Sequence, residues 1–139
     1  MKRLAECRNY SRDELRCRCG CGLDVTDSFV IALQAFIAIL ERKLMTKVRH
    51  VVSGGARCKK HNDEEGGKPD SRHVHQDAVD GTYDKLVGEK WEQIPNAVIA
   101  AEARRSGLFG GVGYKQYADA GENLVHLDGR PGRWPAATW

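Results

Sequence analysis

Two histidines and one aspartate in this chain are of the residue types that can bind zinc. His73 and Asp80 lie in one stretch of the sequence, and His126 lies near its C-terminus. Two imidazoles and a carboxylate fill three positions around Zn²⁺ and leave the fourth to water, as a hydrolytic site requires, whereas a structural site closes all four. We therefore expect one Zn²⁺ ion at these three residues. Of the other histidines, His50 and His61 are interpreted as ordinary surface residues.

Four motifs in a fixed order contain or flank these residues. They occupy residues 53–57, 71–80, 111–114 and 126–130, which read Ser-Gly-Gly-Ala-Arg, Ser-Arg-His-Val-His-Gln-Asp-Ala-Val-Asp, Gly-Val-Gly-Tyr and His-Leu-Asp-Gly-Arg. In this order they resemble the zinc D-alanyl-D-alanine carboxypeptidases and endopeptidases of bacterial and phage cell-wall metabolism, which have the hedgehog/DD-peptidase fold. Residues 15–22, rich in cysteine and followed by an apolar helix, look like the N-terminal part of phage-borne members. The resemblance implies a phage or prophage lysin-like enzyme that cleaves peptidoglycan.

The chain departs from the pattern of that family at two places. Gly55-Ala56 stands where the family has a single aromatic residue, and Gln76 stands where it has a glycine. If that glycine has a positive φ, either Gln76 adopts it at a cost in energy or the turn is rearranged.

Length and composition are typical of one globular domain. A chain of 139 residues fits a single core, so we expect one domain over residues 1–139, with residues 1–25 as its Cys-containing N-terminal segment. The 41% hydrophobic and 29% charged residues are ordinary for such a domain. The net charge of +3 is too small and too dispersed to indicate a nucleic-acid partner, although it favours approach to an anionic cell wall. We expect a monomer whose partner is bacterial peptidoglycan.

The sequence contains no pattern for membrane insertion or export. The longest apolar run, residues 29–40, is interrupted by Gln34 and is shorter than the ~20 residues that cross a bilayer. The basic residues near Met1 are not followed by an apolar segment, so no signal peptide is expected. We expect a protein that has no membrane partner and is cytoplasmic when made. Action on the wall then requires holin-type or virion-associated delivery, as the resemblance implies.

The hydrophobic pattern predicts an α+β fold, with a small, mostly antiparallel sheet and helices packed on one side. Thr26 or Asp27 is a good N-cap for a helix whose apolar residues recur every three or four positions as far as Leu44. The other predicted elements are strands at 48–52, 78–79, 112–114 and 124–127, helices at 83–93 and 96–106, and a mobile surface loop at 58–70. The last two strands are predicted to form a hairpin that carries His126.

Three of the five cysteines form the alternating run Cys17-x-Cys19-x-Cys21. Without a secretion signal, reduced thiols are the default. The usual zinc knuckle has Cys-x-x-Cys spacing and needs a fourth ligand. We therefore interpret the run as a local structural element with its side chains on one face of an extended strand, and a second metal or a disulfide is the alternative. Cys58 is interpreted as a packing residue, because no group that would activate its thiol is evident.

Peptide hydrolysis also needs a proton acceptor, which in the resembling family is an acidic residue a few positions before the last histidine. Asn123, three residues before His126, cannot accept a proton, so we assign the role to Glu122 and hold Asp119 in reserve. If residues 122–126 are extended, Glu122 and His126 lie on the same face of the strand.

Five more residues are assigned roles around the metal. Arg57 matches the arginine of the family and binds a substrate carboxylate or carbonyl. Ser71 hydrogen-bonds substrate or caps its loop, and Tyr114 lines the cleft or belongs to the core. His75 is the candidate to stabilise the tetrahedral oxyanion. Asp128 either holds a ligand imidazole through its second N–H or forms a salt bridge with the arginine of the same motif.

Three functions remain open at this point. The first is a zinc peptidase that hydrolyses D-Ala-containing peptide bonds in peptidoglycan stem peptides or cross-links. The second is a non-catalytic peptidoglycan-binding or virion structural protein on the same fold, favoured if no base lies near the metal. The third is a metal-binding regulatory module built on the cysteine run, favoured if thiols are ligands and more than one metal binds.

Overall fold

A six-stranded sheet and the helices packed on it form the core of the protein. The structure is a computed structural model that describes residues 9–11, 13–131 and 135–139. In chain order its elements are α1 (Asp27–Leu44), β1 (Val48–Gly54), α2 (Lys59–Glu64), β2 (Ala78–Val87), β3 (Lys90–Gln93), α3 (Asn96–Ser106), β4 (Gly111–Gly113), α4 (Lys115–Asp119), β5 (Val125–Asp128) and β6 (Ala137–Thr138). The described residues do not include Cys7 or the segment after Met1 in which no signal peptide was expected.

The sheet is mostly antiparallel. Its strand order is β1-β2-β5-β4-β6, and β3 pairs with the second half of β2. Strands β4 and β6 are parallel, whereas the other pairs in the described part of the chain are antiparallel. Helix α1 contacts β1 and α3, and α3 contacts β2, β4 and β5. The predicted α+β class is therefore confirmed.

Side-chain alternation gives the two faces of the sheet different environments. On β2 and β5, Val79 pairs with Leu127, and both are fully buried in the core to which α1 contributes. The neighbouring pair, Asp80 and His126, points to the opposite face. The polar residues of these two strands thus lie across the sheet from the main hydrophobic core.

Helix α1 forms where the sequence predicts it. The Thr26 side chain accepts a hydrogen bond from the backbone N–H of Phe29 at 3.3 Å and so caps the first turn. The buried face of the helix consists of Phe29, Val30, Leu33, Phe36, Ile37 and Leu40. Leu44, the last residue of the predicted stripe, is partly buried against the same core. Despite this apolar face, no helix in the described part of the chain has the length and hydrophobicity that a membrane span requires.

Residues 83–93, predicted as a helix, instead form the second half of β2 and all of β3. The two strands make a hairpin in which Val87 lies opposite Lys90. Gly88, at the first position of the two-residue loop, has φ 62°, as a type II′ hairpin turn requires. The prediction was wrong because β2 is held between β1 and β3, and this pairing overrides the apparent helical spacing. The predicted helix at 96–106 corresponds to α3.

The segment 58–70 contains helix α2, although the sequence predicted a loop. Asn62 is buried, and its Nδ2 donates to the carbonyl oxygen of Lys68 at 2.8 Å. A Cβ on Gly67 would lie 2.2 Å from Asn62 Oδ1, so glycine is needed where the chain passes this amide. The buried amide therefore fixes the turn after the helix. The polar composition of the segment had predicted a mobile loop instead.

Residues 17–22 form turns, not the predicted extended strand. The backbone N–H of Gly20 donates to the carbonyl oxygen of Cys17 at 3.3 Å. Gly20 and Gly22 have φ of 82° and 87°, a conformation that glycine adopts without a steric cost. The glycines interrupt the alternation that the cysteine spacing had suggested.

His50 is buried in the core, so its interpretation as a surface residue was wrong. It pairs with Tyr83 across β1 and β2, and the two rings stack with centroids 4.0 Å apart. Its Nδ1 and the hydroxyl of Tyr10 are 2.8 Å apart. Burial lowers the pKa of His50 to about 3, although the charge of Asp80 acts in the opposite direction. His50 is therefore a neutral ring of the core.

Candidate metal centre

His73, Asp80 and His126 lie together on the sheet face opposite the main core. One ligand atom from each lies within 4.8 Å of the others. The Asp80 carboxylate lies between the two rings, with Oδ2 3.0 Å from His73 Nε2 and Oδ1 2.7 Å from His126 Nδ1. Both histidines are buried, and the aspartate is partly exposed. The structure thus brings together the three residues that the sequence singled out.

Strand register and one loop position these three residues. Asp80 on β2 is directly opposite His126 on β5, and side chains so placed in an antiparallel pair are near neighbours. His73 lies in the loop before β2, and its Nδ1 donates to the carbonyl oxygen of Gly55 at 2.7 Å. The backbone N–H of Arg57 donates back to the carbonyl oxygen of His73 at 3.0 Å. The segment after β1 therefore holds the third residue in place.

The turn between His73 and Asp80 contains Gln76 with φ 65°. Of the two outcomes expected for this position, the glutamine adopts a positive φ. Its carbonyl oxygen accepts from the backbone N–H of Thr26 at 2.9 Å, and its Nε2 donates to the carbonyl oxygen of Asp24 at 2.8 Å. These two hydrogen bonds hold the turn against the start of α1.

Hydrogen bonds determine which ring nitrogen of each histidine faces the centre. Because Nδ1 of His73 donates to a carbonyl, the lone pair of the neutral ring is on Nε2. His126 has the reverse arrangement, since its Nε2 donates to Asp128 Oδ2 at 2.8 Å and leaves Nδ1 for the centre. Asp128 is fully buried and also accepts from Nη2 and Nε of Arg130 at 2.7 and 2.9 Å. Asp128 therefore has both predicted contacts, with the imidazole and with the arginine.

The carboxylates and His126 shift each other's pKa in opposite directions. Burial tends to raise the pKa of Asp80, but hydrogen bonds with His126 and His73 and the charges of these rings hold it well below its usual range. The pKa of Asp128 is likewise held low by His126 and Arg130 against the effect of burial. Burial tends to lower the pKa of His126, but hydrogen bonds with the two carboxylates and their charges raise it to about 9. A metal ion that binds His126 Nδ1 displaces a proton from it.

The donor set suits Zn²⁺. Two imidazole nitrogens and one carboxylate oxygen are a ligand set found in hydrolytic zinc sites, and three ligands leave one position for water. Each imidazole donates its other N–H to an oxygen, His73 to a backbone carbonyl and His126 to a carboxylate. Such partners orient a ligand ring and increase its basicity. His73 Nε2, the Asp80 carboxylate and His126 Nδ1 are thus the atoms that would hold the ion.

The centre opens into a cleft of about 880 Å³. The cleft is lined by the three residues of the centre and by four residues predicted to act in catalysis or substrate binding, namely Arg57, Ser71, His75 and Glu122. Ser71 Oγ also accepts a 3.4 Å hydrogen bond from the backbone N–H of His73, so it caps the turn as well as facing the cleft. Tyr114 packs against the hydrophobic core and is not among the residues that line the cleft.

The candidate base Glu122 lies in the connection between α4 and β5. Strand β5 begins three residues after it, so the alternation used to predict its direction does not apply. Its backbone N–H donates to the carbonyl oxygen of Tyr117 at 2.7 Å, which turns the chain back towards the cleft. Asp119, the reserve candidate, is exposed at the end of α4 and is not among the cleft residues. Of the two carboxylates, Glu122 is the one that lines the cleft.

Two aromatic residues that sequence reasoning missed pack against His126. The ring of Tyr117 stacks on it with centroids 6.0 Å apart, and the ring of Trp139 lies 5.3 Å away. The guanidinium of Arg130 lies 4.7 Å from the centre of the Trp139 ring. Burial raises the pKa of the Tyr117 hydroxyl, which stays protonated. No spacing rule signals these contacts, because they join segments that are distant in the sequence.

The two glycines of β4 make room for the residues around His126. A Cβ on Gly113 would lie 2.3 Å from Nε1 of Trp139, and a Cβ on Gly111 would lie 2.5 Å from Oδ2 of Asp128. Any larger residue would displace these side chains. Packing therefore explains why glycine occupies both ends of the Gly-Val-Gly motif.

Comparison with known protein families agrees with this geometry. A family model described as peptidase M15 matches residues 8–128, a span that includes the three residues of the centre and the candidate base. No curated protein matched the chain in a sequence search. The matched family is zinc-dependent. Since the match covers most of the sequence, the chain belongs to the peptidase M15 family of zinc D-alanyl-D-alanine carboxypeptidases.

Proposed function

We propose that the protein is a zinc peptidase that hydrolyses D-Ala-containing peptide bonds in peptidoglycan stem peptides or cross-links. The observation that carries this proposal is the centre of His73, Asp80 and His126 at the wall of an open cleft. A structural metal site has four protein ligands, whereas the described part of the chain supplies three here, and the centre is reached from the solvent. Both a DD-carboxypeptidase and an endopeptidase fit this arrangement.

The residues of the cleft supply what peptide hydrolysis needs besides the metal. When bound at the centre, Zn²⁺ polarises the scissile carbonyl and lowers the pKa of a water molecule to about 7. Glu122 accepts a proton from the attacking water and passes it to the leaving amine. His75 donates a hydrogen bond to the oxygen that becomes negative in the transition state. Asp128 keeps the His126 ring in one orientation throughout.

Arg57 and Ser71 bind the substrate. The guanidinium pairs with a carboxylate through two parallel hydrogen bonds, so Arg57 suits the free carboxylate of a terminal D-Ala. In an endopeptidase it would contact a backbone carbonyl instead. Both residues line the same cleft as the metal centre, which supports this assignment.

The biological role we propose is lysis of the bacterial cell wall by a phage or prophage. Its support is the resemblance of the cysteine-rich segment and of the site motifs to phage-borne peptidases. Peptidoglycan is the proposed partner of a monomeric protein, and holin-type or virion-associated delivery the proposed route to the wall. When the purified protein is added to a suspension of bacteria whose cell wall is accessible from outside, the turbidity of the suspension should fall.

The first experiment measures zinc content and muropeptide release on the same sample. Purified peptidoglycan is digested before and after chelation, and the products are separated by chromatography. We expect new peptide ends that disappear with chelation and return with added Zn²⁺. The position of the new ends identifies the bond and the mode of cleavage. If zinc is bound and several wall types yield no product, the peptidase proposal is wrong and the non-catalytic peptidoglycan-binding protein replaces it.

A pair of variants tests the base. Glu122→Gln keeps the shape of the side chain but cannot accept a proton, so zinc content should stay normal while turnover falls by ~10²–10⁴-fold. Asp119→Asn makes the matched change on the carboxylate outside the cleft and should retain turnover. The reverse result would transfer the role to Asp119.

A further inference from the structure

Four cysteine thiols form a second cluster, away from the histidine centre. The sulfur atoms of Cys17, Cys19, Cys21 and Cys58 all lie within 4.8 Å of one another. The Sγ of Cys19 is 3.4 Å from that of Cys17 and 3.5 Å from that of Cys58. All four thiols are free, and these separations are far longer than an S–S bond of about 2.05 Å. The long-range member, Cys58, was not connected with the run from the sequence.

Two of the sulfur–sulfur separations are close to those around one tetrahedral ion. Four sulfurs bound to Zn²⁺ at about 2.3 Å lie about 3.8 Å from each other. The Cys17–Cys19 and Cys19–Cys58 separations are within a few tenths of an ångström of this spacing, and four thiols are the number of ligands that a structural zinc site has. The histidine centre has three ligands and an open position, so the two clusters differ in the chemistry that they support.

Backbone groups already point at the sulfurs. The N–H of Cys58 donates to Cys17 Sγ at 3.3 Å, and the N–H of His61 donates to Cys58 Sγ at 3.4 Å. Hydrogen bonds of this kind stabilise thiolates bound to a metal. Gly20, whose φ is positive, lies in the turn between Cys19 and Cys21 and so helps to bring the three cysteines of residues 17–21 together.

The charges near the cluster favour an anionic complex. Zn²⁺ with four thiolates carries a net charge of about −2. The cysteines have five basic residues within two positions in the sequence, which are Arg16, Arg18, Arg57, Lys59 and Lys60. Positive charges on residues adjacent to the ligands in the sequence offset part of that negative charge.

We propose that Cys17, Cys19, Cys21 and Cys58 bind a second Zn²⁺ ion, which is structural and not catalytic. Its coordination is closed by protein ligands, so no position is left for a substrate or a hydrolytic water. The protein then contains two zinc ions, one more than the sequence alone predicted.

The second ion links the N-terminal segment that contains Cys17, Cys19 and Cys21 to the loop after β1, which supports the histidine centre. Cys58 follows Arg57, and the N–H of Ala56 donates to the carbonyl oxygen of Leu15 at 2.9 Å. A Cβ on Gly55 would lie 2.4 Å from the same carbonyl oxygen, so the two segments are in close backbone contact. Gly55 in turn accepts the hydrogen bond that orients His73. Release of the thiol-bound ion therefore loosens a support of the first ion.

The test counts zinc ions in protein purified under reducing conditions. We expect two per chain in the wild type, one in His126→Ala, which keeps the thiol site, and one in Cys21→Ser, which keeps the histidine site. Cys7→Ser is the matched control, because it removes the one cysteine that is not a proposed ligand, and it should keep two. One zinc in the wild type, or two in Cys21→Ser, would overturn the proposal. Loss of metal in Cys7→Ser with retention in Cys21→Ser would overturn the ligand assignment.

A second measurement does not depend on the folding of a cysteine variant. Wild-type and His126→Ala proteins loaded with Co²⁺ should both show an intense near-ultraviolet sulfur-to-cobalt band, and Zn²⁺ should protect four of the five thiols from alkylation. Absence of the band, or equal labelling with and without Zn²⁺, contradicts a thiolate site. Because the His126 variant lacks peptidase activity by design, these results are independent of whether the proposed function is correct.

Discussion

Asp80 and His126 face each other across β2 and β5, with Oδ1 of the carboxylate 2.7 Å from Nδ1 of the ring. The other nitrogen of the same ring donates to Asp128, which lies two residues further along the same strand and on the same face. The imidazole is thus held between one carboxylate that shares the metal centre and one that does not. The proposed function therefore depends on the orientation of the His126 ring between these two carboxylates as well as on the identity of the ligands.

Replacing Asp128 by asparagine should weaken zinc binding at the histidine centre. The change removes the charge that orients His126 through Nε2, and loss of such a partner lowers metal affinity by about 10–100-fold. Chelator-buffered titration with Zn²⁺ measures the effect. Asp84→Asn is the control, since it breaks an ion pair with Arg49 elsewhere on the sheet and should leave affinity unchanged. Equal affinities for the two variants would show that Asp128 has only a structural contact with Arg130.

Gly113→Ala should destabilise the protein because the new Cβ would lie 2.3 Å from the Trp139 ring. Overpacking of this kind costs about 1–3 kcal/mol, measured by denaturant unfolding. In a Trp139→Ala background the ring is absent, so the same substitution should cost much less. An equal cost in both backgrounds would mean that the glycine is required for a reason other than this contact.

The parts of the structure that the sequence predicts are those with a local signal. The stripe of α1 and its Thr26 cap follow from helical spacing, and the residues of the metal centre follow from motifs that resemble a known family. The β2–β3 hairpin was missed because strand pairing outweighs local preference. Tyr117 and Trp139 meet His126 only after the sheet has formed, and Cys58 meets the cysteine run in the same way. Such contacts between distant segments produce no periodic pattern in the sequence.

The stability of the fold should fall as the pH decreases below about 6.5, in part through His50. The pKa of His50 is about 3 in the folded protein, against 6.5 in an unfolded chain, so the unfolded state binds more protons between these values. The contribution is fully present above pH 6.5 and is lost as the pH falls towards 3, and it amounts to several kcal/mol, on the order of 4.

Unfolding free energies of metal-free wild type and His50→Phe, compared between pH 7.5 and pH 5, isolate this effect. Phenylalanine keeps a ring next to Tyr83 but does not titrate, so the variant should lose less stability over this interval. The side chains of the metal centre are the same in both proteins, so their contributions cancel in the comparison. Identical pH profiles would show that His50 is charged or exposed in the folded state.

Two residues with positive φ should respond differently to replacement by glycine. Met45 has φ 55° at the end of α1, and its side chain is largely exposed. Glycine removes the cost of the left-handed conformation, about 1–2 kcal/mol, and adds flexibility to the unfolded chain, so Met45→Gly should stabilise the protein by about 0.5–1 kcal/mol. Gln76 has φ 65°, but its side chain also donates to the carbonyl oxygen of Asp24. Loss of that hydrogen bond costs about 0.5–1.5 kcal/mol, so Gln76→Gly should yield no net gain.

Gln76→Ala separates the two effects at this turn. Alanine loses the hydrogen bond and keeps the unfavourable φ, so it should be less stable than both the wild type and Gln76→Gly in denaturant unfolding. If Gln76→Gly were stabilised as much as Met45→Gly, the side-chain bond to Asp24 would contribute nothing. In that case the glutamine in the loop between His73 and Asp80 would be a strained substitution without compensation. The expected order instead makes the Asp24 contact the reason that this chain tolerates a glutamine where the resembling family has glycine.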